Sequence, residues 1–408
     1  METKGAGRSP LWLLAAWAVT RAGLLLFVFR VYVLSGPDVT SDVSVIYHGW
    51  YEVLRRGTFP LDDVTWQYPP AAALAILSPA ALPFLSYAHA FFVLVCLTDA
   101  VVLALLAYAG TRPGRSPRGA WMWVAGVPLL GPTVYARYDL MVTAVAVAAL
   151  LAGARHPRVM GALAAVGALV KVWPALLLAG AVRRRAWEAA AVTGAGIALL
   201  FAVSMPGAFA FLAFQRERGT EVESLGALVF HVARHFGWRG EVRLNYGSVE
   251  FLGPWVDVVS TAALALTGAA FGWLLLWRLR ATRLTGAALA DAALTAVLLF
   301  TVTSRVISPQ YLVWLVGLAA VCLTHRASRM AGPALLIAGA SFLTVLEFPL
   351  GFSHVVASDG YGVTLLVLRN GLLVAAALTA ARRLWRTTVP PRPAPAPARG
   401  GQPSRVVM

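Results

Sequence analysis

Charged residues are scarce in this 408-residue chain, at 13% against 59% hydrophobic, where a soluble chain carries about a quarter. So few charges cannot cover water-soluble domains, and a mean hydropathy of +0.72 marks an all-α polytopic membrane protein. Lysine is nearly missing, with only Lys4 and Lys171, and 18 acidic residues face 34 basic ones. The formal charge of +16 is therefore almost all arginine. It sits in joints between apolar runs, which argues against a nucleic-acid partner and for the lipid bilayer. The two cysteines, Cys96 and Cys322, lie inside apolar runs, so no disulfide framework or metal cluster is available. Asp62 and Asp63 are the only adjacent acidic pair, and no spacing suits a bound cation; neither metal nor cofactor is expected. No Gly-rich phosphate loop is present, which argues against a cytoplasmic nucleotide-sugar site.

What the chain has is apolar runs. The first, Leu11 to Leu34, is too long for a signal-peptide core and lacks a small-residue cleavage site. Ten more follow, several below the ~20 residues of a helical span, so tilted or broken helices are expected. Arginine joints at 112–118, 155–158, 183–185, 278–283 and 326–329, with Lys4, Arg8 and the tail from Arg382, hold 21 of the 34 basic residues. Acidic residues cluster at 35–69 and 205–257. The positive-inside rule puts both termini in the cytoplasm and those two loops outside. The run Gly161–Val182 has basic joints at both ends, so it reads as a hairpin turning near Lys171-Val172-Trp173-Pro174. About twelve crossings result, with ten as the alternative. Residues 1–388 form the membrane domain, and the Pro/Ala/Arg-rich segment 389–408 reads as a disordered cytoplasmic tail.

In the first outer loop, Val43, Ile46, Trp50, Val53 and Leu54 recur at helical spacing, with Gly57 as a stop. The segment reads as an amphipathic helix at the membrane surface. Asp42 stands at its start, where a helix cap competes with a general base facing an acceptor hydroxyl. Tyr68-Pro69-Pro70 leads into Ala71–Pro83, a Pro-broken stretch suited to lining a cavity. Ionisable groups at membrane depth are rare and usually functional, which singles out Arg137, Lys171, Arg305 and, in an outer loop, His354. Each has a plainer reading: Arg137 paired with Asp139, Lys171 and Arg305 snorkelling to lipid headgroups, His354 an ordinary loop residue. Arg21 in the first run has Asp99 or Asp291 as partner. Aromatics of the long outer loop, Trp238, Tyr246 and Trp255, suit either an interfacial belt or sugar stacking.

The segments SDVSVIYHGWYEVLRRGTFP, WQYPPAAALAILSPAALP, YARYDL (135–140), LVKVWPALLL (169–178) and SRVISPQYLVWL (304–315) together resemble the GT-C class of polytopic glycosyltransferases. Within it they are most similar to glycosyltransferase family 87, the polyprenyl-phosphate-mannose-dependent mannosyltransferases of the bacterial cell envelope. The resemblance spans roughly residues 11–325. It implies a GT-C-like bundle of about 10–12 transmembrane helices, and inverting transfer of a sugar, mannose first, from a polyprenyl-phosphate donor to a glycolipid or cell-wall glycan at the outer face. It implies Asp42 as the base, with Asp38 in reserve. The leaving phosphate gains charge and needs fixed cations or donors. Arg305, Lys171, His354, Arg137, Gln310 and Tyr68 form that expected donor-phosphate and substrate set. A flippase of a lipid-linked sugar and a same-class transferase for another pentose or hexose are the alternatives. Uneven helix breaks and long outer loops favour the enzyme over paired transporter halves.

Overall fold

The computed structural model describes residues 8–215 and 218–390. The tail residues 391–408, where disorder is expected, lie outside them. Seven described helices are long and apolar enough to cross a membrane: Leu11–Val28, Tyr87–Gly110, Arg184–Ser204, Val256–Arg280, Gly286–Thr303, Ala331–Leu350 and Gly360–Thr388. This is a multi-pass membrane protein with a helical bundle. Four shorter apolar helices, Ala72–Ala81, Asp139–Gly153, Pro157–Val170 and Tyr311–Thr324, complete it. Tyr311–Thr324 rises only ~21 Å at 1.5 Å per residue, short of the ~30 Å hydrocarbon core. It survives because it lies inside the bundle, with nearly every residue buried, so its exposed ends meet protein rather than lipid.

The packing is layered. Tyr311–Thr324 and Gly286–Thr303 form the centre, while Arg184–Ser204 buries 11% of its apolar window and presents the rest outward. Small residues let helices close in: a Cβ on Gly317 would sit 2.3 Å from Thr143 Cγ2, and one on Gly161 only 1.9 Å from the Ala186 carbonyl oxygen. The buried charge of the first helix is paired with Asp99, not Asp291. Arg21 Nε donates to Asp99 Oδ2 at 2.6 Å, Nη1 reaches the Val124 carbonyl, and Trp17, Trp123 and Tyr135 also donate to Asp99. Asp291 accepts instead from Ser328.

The expected hairpin at Lys171 is present: Pro157–Val170 ends, Lys171 is extended, and a 3₁₀ segment Trp173–Gly180 follows. The last helix runs seven residues past Ala381, to Thr388, because its arginines continue the helical face. The basic joints meet one another: Arg326 Nε donates to the Arg115 carbonyl, Arg383 to that of Arg329, and Arg278 to that of Ala181. The two acidic loops likewise interlock, with Gln215 Nε2 donating to the Gln67 carbonyl at 2.9 Å.

The long loop holds an addition to the helical expectation, a three-stranded antiparallel sheet of order β1-β3-β2. Its strands are β1 (Thr220–Glu221), β2 (Glu241–Asn245) and β3 (Ser248–Leu252). With helix Ala227–Arg234 they enclose a small core around Val222, Phe230 and Phe251. Trp238 packs into it, 4.9 Å from the Phe230 ring.

Candidate active site

The first-loop helix begins at Asp42 as a π-helical turn, Asp42–Tyr47, and continues as α-helix His48–Leu54. Val43, Tyr47, Trp50 and Leu54 form its buried face. Single π turns inside helices often mark functional sites. The Asp42 side chain pairs with Arg137 Nη2 at 2.7 Å and remains 32% exposed, so it is aimed rather than sealed. Arg137 is itself buried and held by the carbonyls of Ala136 and Val39. Its expected pairing with Asp139 does not occur. Asp38 is committed elsewhere, accepting from Thr40 N and Oγ1 and facing Arg30 at 3.1 Å. Burial raises its pKa, but Thr40 and Arg30 outweigh that and hold it below the ordinary value. Asp38 lines a separate small hollow.

Asp42 faces a cavity of about 350 Å³ walled by both outer loops, the Lys171 hairpin and the break at 304–310. Tyr68, Lys171, Arg305 and Gln310 also line it, and Arg137 stands behind Asp42. Lys171 Nζ contacts Asp139 Oδ1 at 2.7 Å and sits 5.1–5.4 Å from the ring centres of Tyr68, Tyr138, Tyr311 and Trp314. Four rings within cation–π range hold an ammonium that water barely reaches. Trp314 Nε1 donates to the same Asp139 oxygen at 2.7 Å, and Trp173 stacks on Trp314. The buried Trp173 Nε1 has no partner among the described residues.

Arg305 projects from the polar break after Gly286–Thr303. Its Nη1 donates to the Arg218 carbonyl at 2.9 Å and its Nη2 to that of Gln215. Two carbonyls fix the guanidinium without neutralising it. Burial, then the neighbouring Arg218, push its pKa below the ordinary arginine value. Glu221 anchors the break, accepting from Ile307 N at 2.6 Å and Ser308 Oγ at 2.8 Å; burial pushes its carboxyl up. Sequence reasoning missed Arg218, which lines the cavity while paired with the buried Glu250. Its only signal was its place in the charged stretch 216–218 of the long loop. His354 does not line this cavity; its Nδ1 lies 2.5 Å from Asp359 beside the start of the last helix. A histidine five residues before a helix-capping aspartate is held locally. Among the described residues no cluster of three or more His, Cys, Asp or Glu suits a metal ion.

A carboxylate and fixed cations thus share one cavity inside a polytopic helical bundle. The sequence profile of glycosyltransferase family 87 matches residues 66–309, more than half of the chain, and the protein belongs to that family. It is thus a membrane glycosyltransferase of the GT-C class. Asp42 lies before the matched segment, so its place rests on geometry. Two solved structures are similar, both of ArnT from Cupriavidus metallidurans. The one bound to undecaprenyl phosphate is 14% identical with a TM-score of 0.47, covering 92% of this chain and 77% of that one. The apo form is 15% identical with a TM-score of 0.44, covering 93% and 78%. No curated protein matches the sequence.

Proposed function

We propose that this glycosyltransferase moves a sugar, mannose in the first instance, from a polyprenyl-phosphate donor to a hydroxyl of a glycolipid or cell-wall glycan. Both termini are cytoplasmic and the cavity opens at the outer face of the membrane. The observation that carries the reading is a single cavity holding Asp42 together with Lys171, Arg218 and Arg305. Asp42 accepts the acceptor proton as the acceptor oxygen bonds to the anomeric carbon. The bond from that carbon to the phosphate oxygen breaks, and its electron pair leaves with the polyprenyl phosphate. Attack opposite the leaving group inverts the anomeric centre.

Arg305 supports this role best, because its charge has no carboxylate partner in the ion pairs of the described residues and is available to the phosphate. Lys171 must share its proton-rich face between Asp139 and the ligand; the orphan Trp173 Nε1 beside it offers a neutral donor to a phosphate oxygen. Arg137 is a positioning residue, holding Asp42 rather than touching donor. Tyr68 serves as a hydrogen-bond donor that stays protonated, since burial and then Asp139 and Asp42 raise its pKa.

The test is purified protein in nanodiscs with radiolabelled polyprenyl-phosphate mannose and a membrane-lipid acceptor extract. Labelled glycolipid supports the proposal. Label crossing the bilayer of proteoliposomes without any transfer would mean a flippase instead, and transfer only from a glucosyl or arabinosyl donor would replace mannose.

A further inference from the structure

Arg369 in the last helix and Glu347 in Ala331–Leu350 are both fully buried, with Arg369 Nε 3.0 Å from Glu347 Oε2. Ionisable groups at membrane depth are rare and usually functional. A buried ion pair is by itself weak evidence of stability, so the contacts beyond the pair decide its role. Arg21, equally buried against Asp99, donates otherwise only to Thr20, Trp123 and Val124, none of which lines the cavity. Arg369 is different. Its Nη1 donates to the Ile307 carbonyl at 3.5 Å. Its Nη2 donates to the Glu223 carbonyl, which also accepts from Asn370 Nδ2 at 3.3 Å.

Both carbonyls belong to the parts that hold Arg305. In the break at 304–310, Arg305, Ser308 and Gln310 line the cavity, while the buried Ile307 between them does not. Glu221 grips this break at three points. Its N–H donates to the Arg305 carbonyl at 3.1 Å, and its carboxylate accepts from Ile307 N and Ser308 Oγ. Ile307 is thus held at its N–H by Glu221 and at its carbonyl by Arg369. Glu223 stands two residues after Glu221, so the same guanidinium also pins the segment that carries the grip. The planar fork of an arginine suits a tie of this kind, because its donors are fixed relative to one another. The Arg305 guanidinium is itself held by the Gln215 and Arg218 carbonyls of the same loop, so a slip of that loop against the break would re-aim it.

We infer that Arg369, fixed by Glu347, is a positioning residue for the donor phosphate: it holds Ile307 and the segment after β1 in register and so keeps the Arg305 guanidinium in the cavity wall. The phosphate in this statement rests on the glycosyltransferase reading above; the grip rests on the hydrogen bonds. A donor already in place costs less to use than one that must be ordered when the ligand arrives. A group held about 1 Å out of place loses much of that advantage. Arg369 touches neither substrate nor Arg305, and acts through Ile307 and Glu223.

Arg369→Met alone would strand the buried Glu347 carboxylate, so the test variant combines it with Glu347→Gln and removes both charges. Glu223 is not stranded in turn, because burial first of all pushes its carboxyl well above the ordinary range. Two readouts are taken on the full chain in nanodiscs. One is hydrogen exchange of peptides covering 304–310, by mass spectrometry; the other is affinity for farnesyl phosphate, a short stand-in for the polyprenyl phosphate. In the double variant, exchange at the break should quicken about tenfold while that of Tyr311–Thr324 stays at the wild-type rate. Farnesyl phosphate should bind about tenfold more weakly. Arg369→Lys keeps a charge opposite Glu347 but lacks the fork, and should show the same loss. In an Arg305→Met background the paired substitutions should change affinity less than about twofold, because the group they position is gone. Unchanged exchange or unchanged affinity in the double variant, or a full tenfold loss added to that of Arg305→Met, would overturn the inference. Faster exchange in the double variant, with no farnesyl phosphate bound by wild type, would leave the grip standing while the donor reading falls.

Discussion

Lys171 pairs with Asp139 and is proposed to bind the donor phosphate, two roles that one substitution would confound and a pair of variants separates. In Lys171→Met, Asp139 keeps a buried carboxylate, 1% exposed, with Trp314 Nε1 still donating to it. Removing one partner of a buried ion pair costs about 3–5 kcal/mol. The surviving indole bond places this case near the lower end, about 3 kcal/mol. The same change removes the proposed charge-assisted hydrogen bond to the donor phosphate, worth about 1.5–3 kcal/mol, or roughly a 10- to 100-fold loss of farnesyl phosphate affinity. Adding Asp139→Asn removes the stranded charge while the amide oxygen still accepts from Trp314. Thermal unfolding in detergent should then recover to within about 1 kcal/mol of wild type, whereas affinity stays low. A double variant that regains affinity along with stability would refute the phosphate role and leave Lys171 a structural residue caged by aromatics.

Two further outcomes follow from particular contacts. His231 bonds the Val222 carbonyl and Ser358 inside the long-loop core, and burial lowers its pKa from 6.5 to about 4. Between those values the unfolded chain binds a proton that the folded ring refuses. Stability is thus complete above pH 6.5 and lost as the pH falls towards 4, by at most about 3 kcal/mol; His231→Gln should flatten that slope in unfolding titrations. His354→Ala should leave the donor and acceptor constants within about twofold, because the ring meets Asp359 and not the cavity; a large rise in the donor constant would return it to the site.

Much of the site was legible because membrane depth makes polar residues conspicuous. Asp42, Lys171, Arg305, Tyr68 and Gln310 each interrupt apolar surroundings or sit at a proline break, and the fold gathers all five around one cavity. Arg218 escaped notice for the opposite reason: in the charged stretch 216–218 an arginine signals nothing until it pairs with the buried Glu250. The plainer alternative, Arg137 paired with Asp139, fails because neighbours in sequence need not face each other. Arg137 turns to Asp42 and Asp139 to Lys171, so two local charges became two long-range pairs. The hairpin did leave a trace, in Val242 and Leu244 before Tyr246-Gly247 and Val249 and Phe251 after it. That alternation was hidden by reading the loop's aromatics as a membrane belt. Helix lengths were harder, since a 14-residue helix such as Tyr311–Thr324 depends on partners far away in the chain.

The central claim is that Asp42 is the base of a sugar transfer. Its most direct test compares wild type with Asp42→Asn, measuring single-turnover transfer from polyprenyl-phosphate mannose alongside farnesyl phosphate affinity. The amide preserves shape and can still meet Arg137, but it cannot take the acceptor proton. Transfer should fall about 10²- to 10⁴-fold with phosphate affinity unchanged within about threefold. Undiminished transfer by Asp42→Asn would contradict the account.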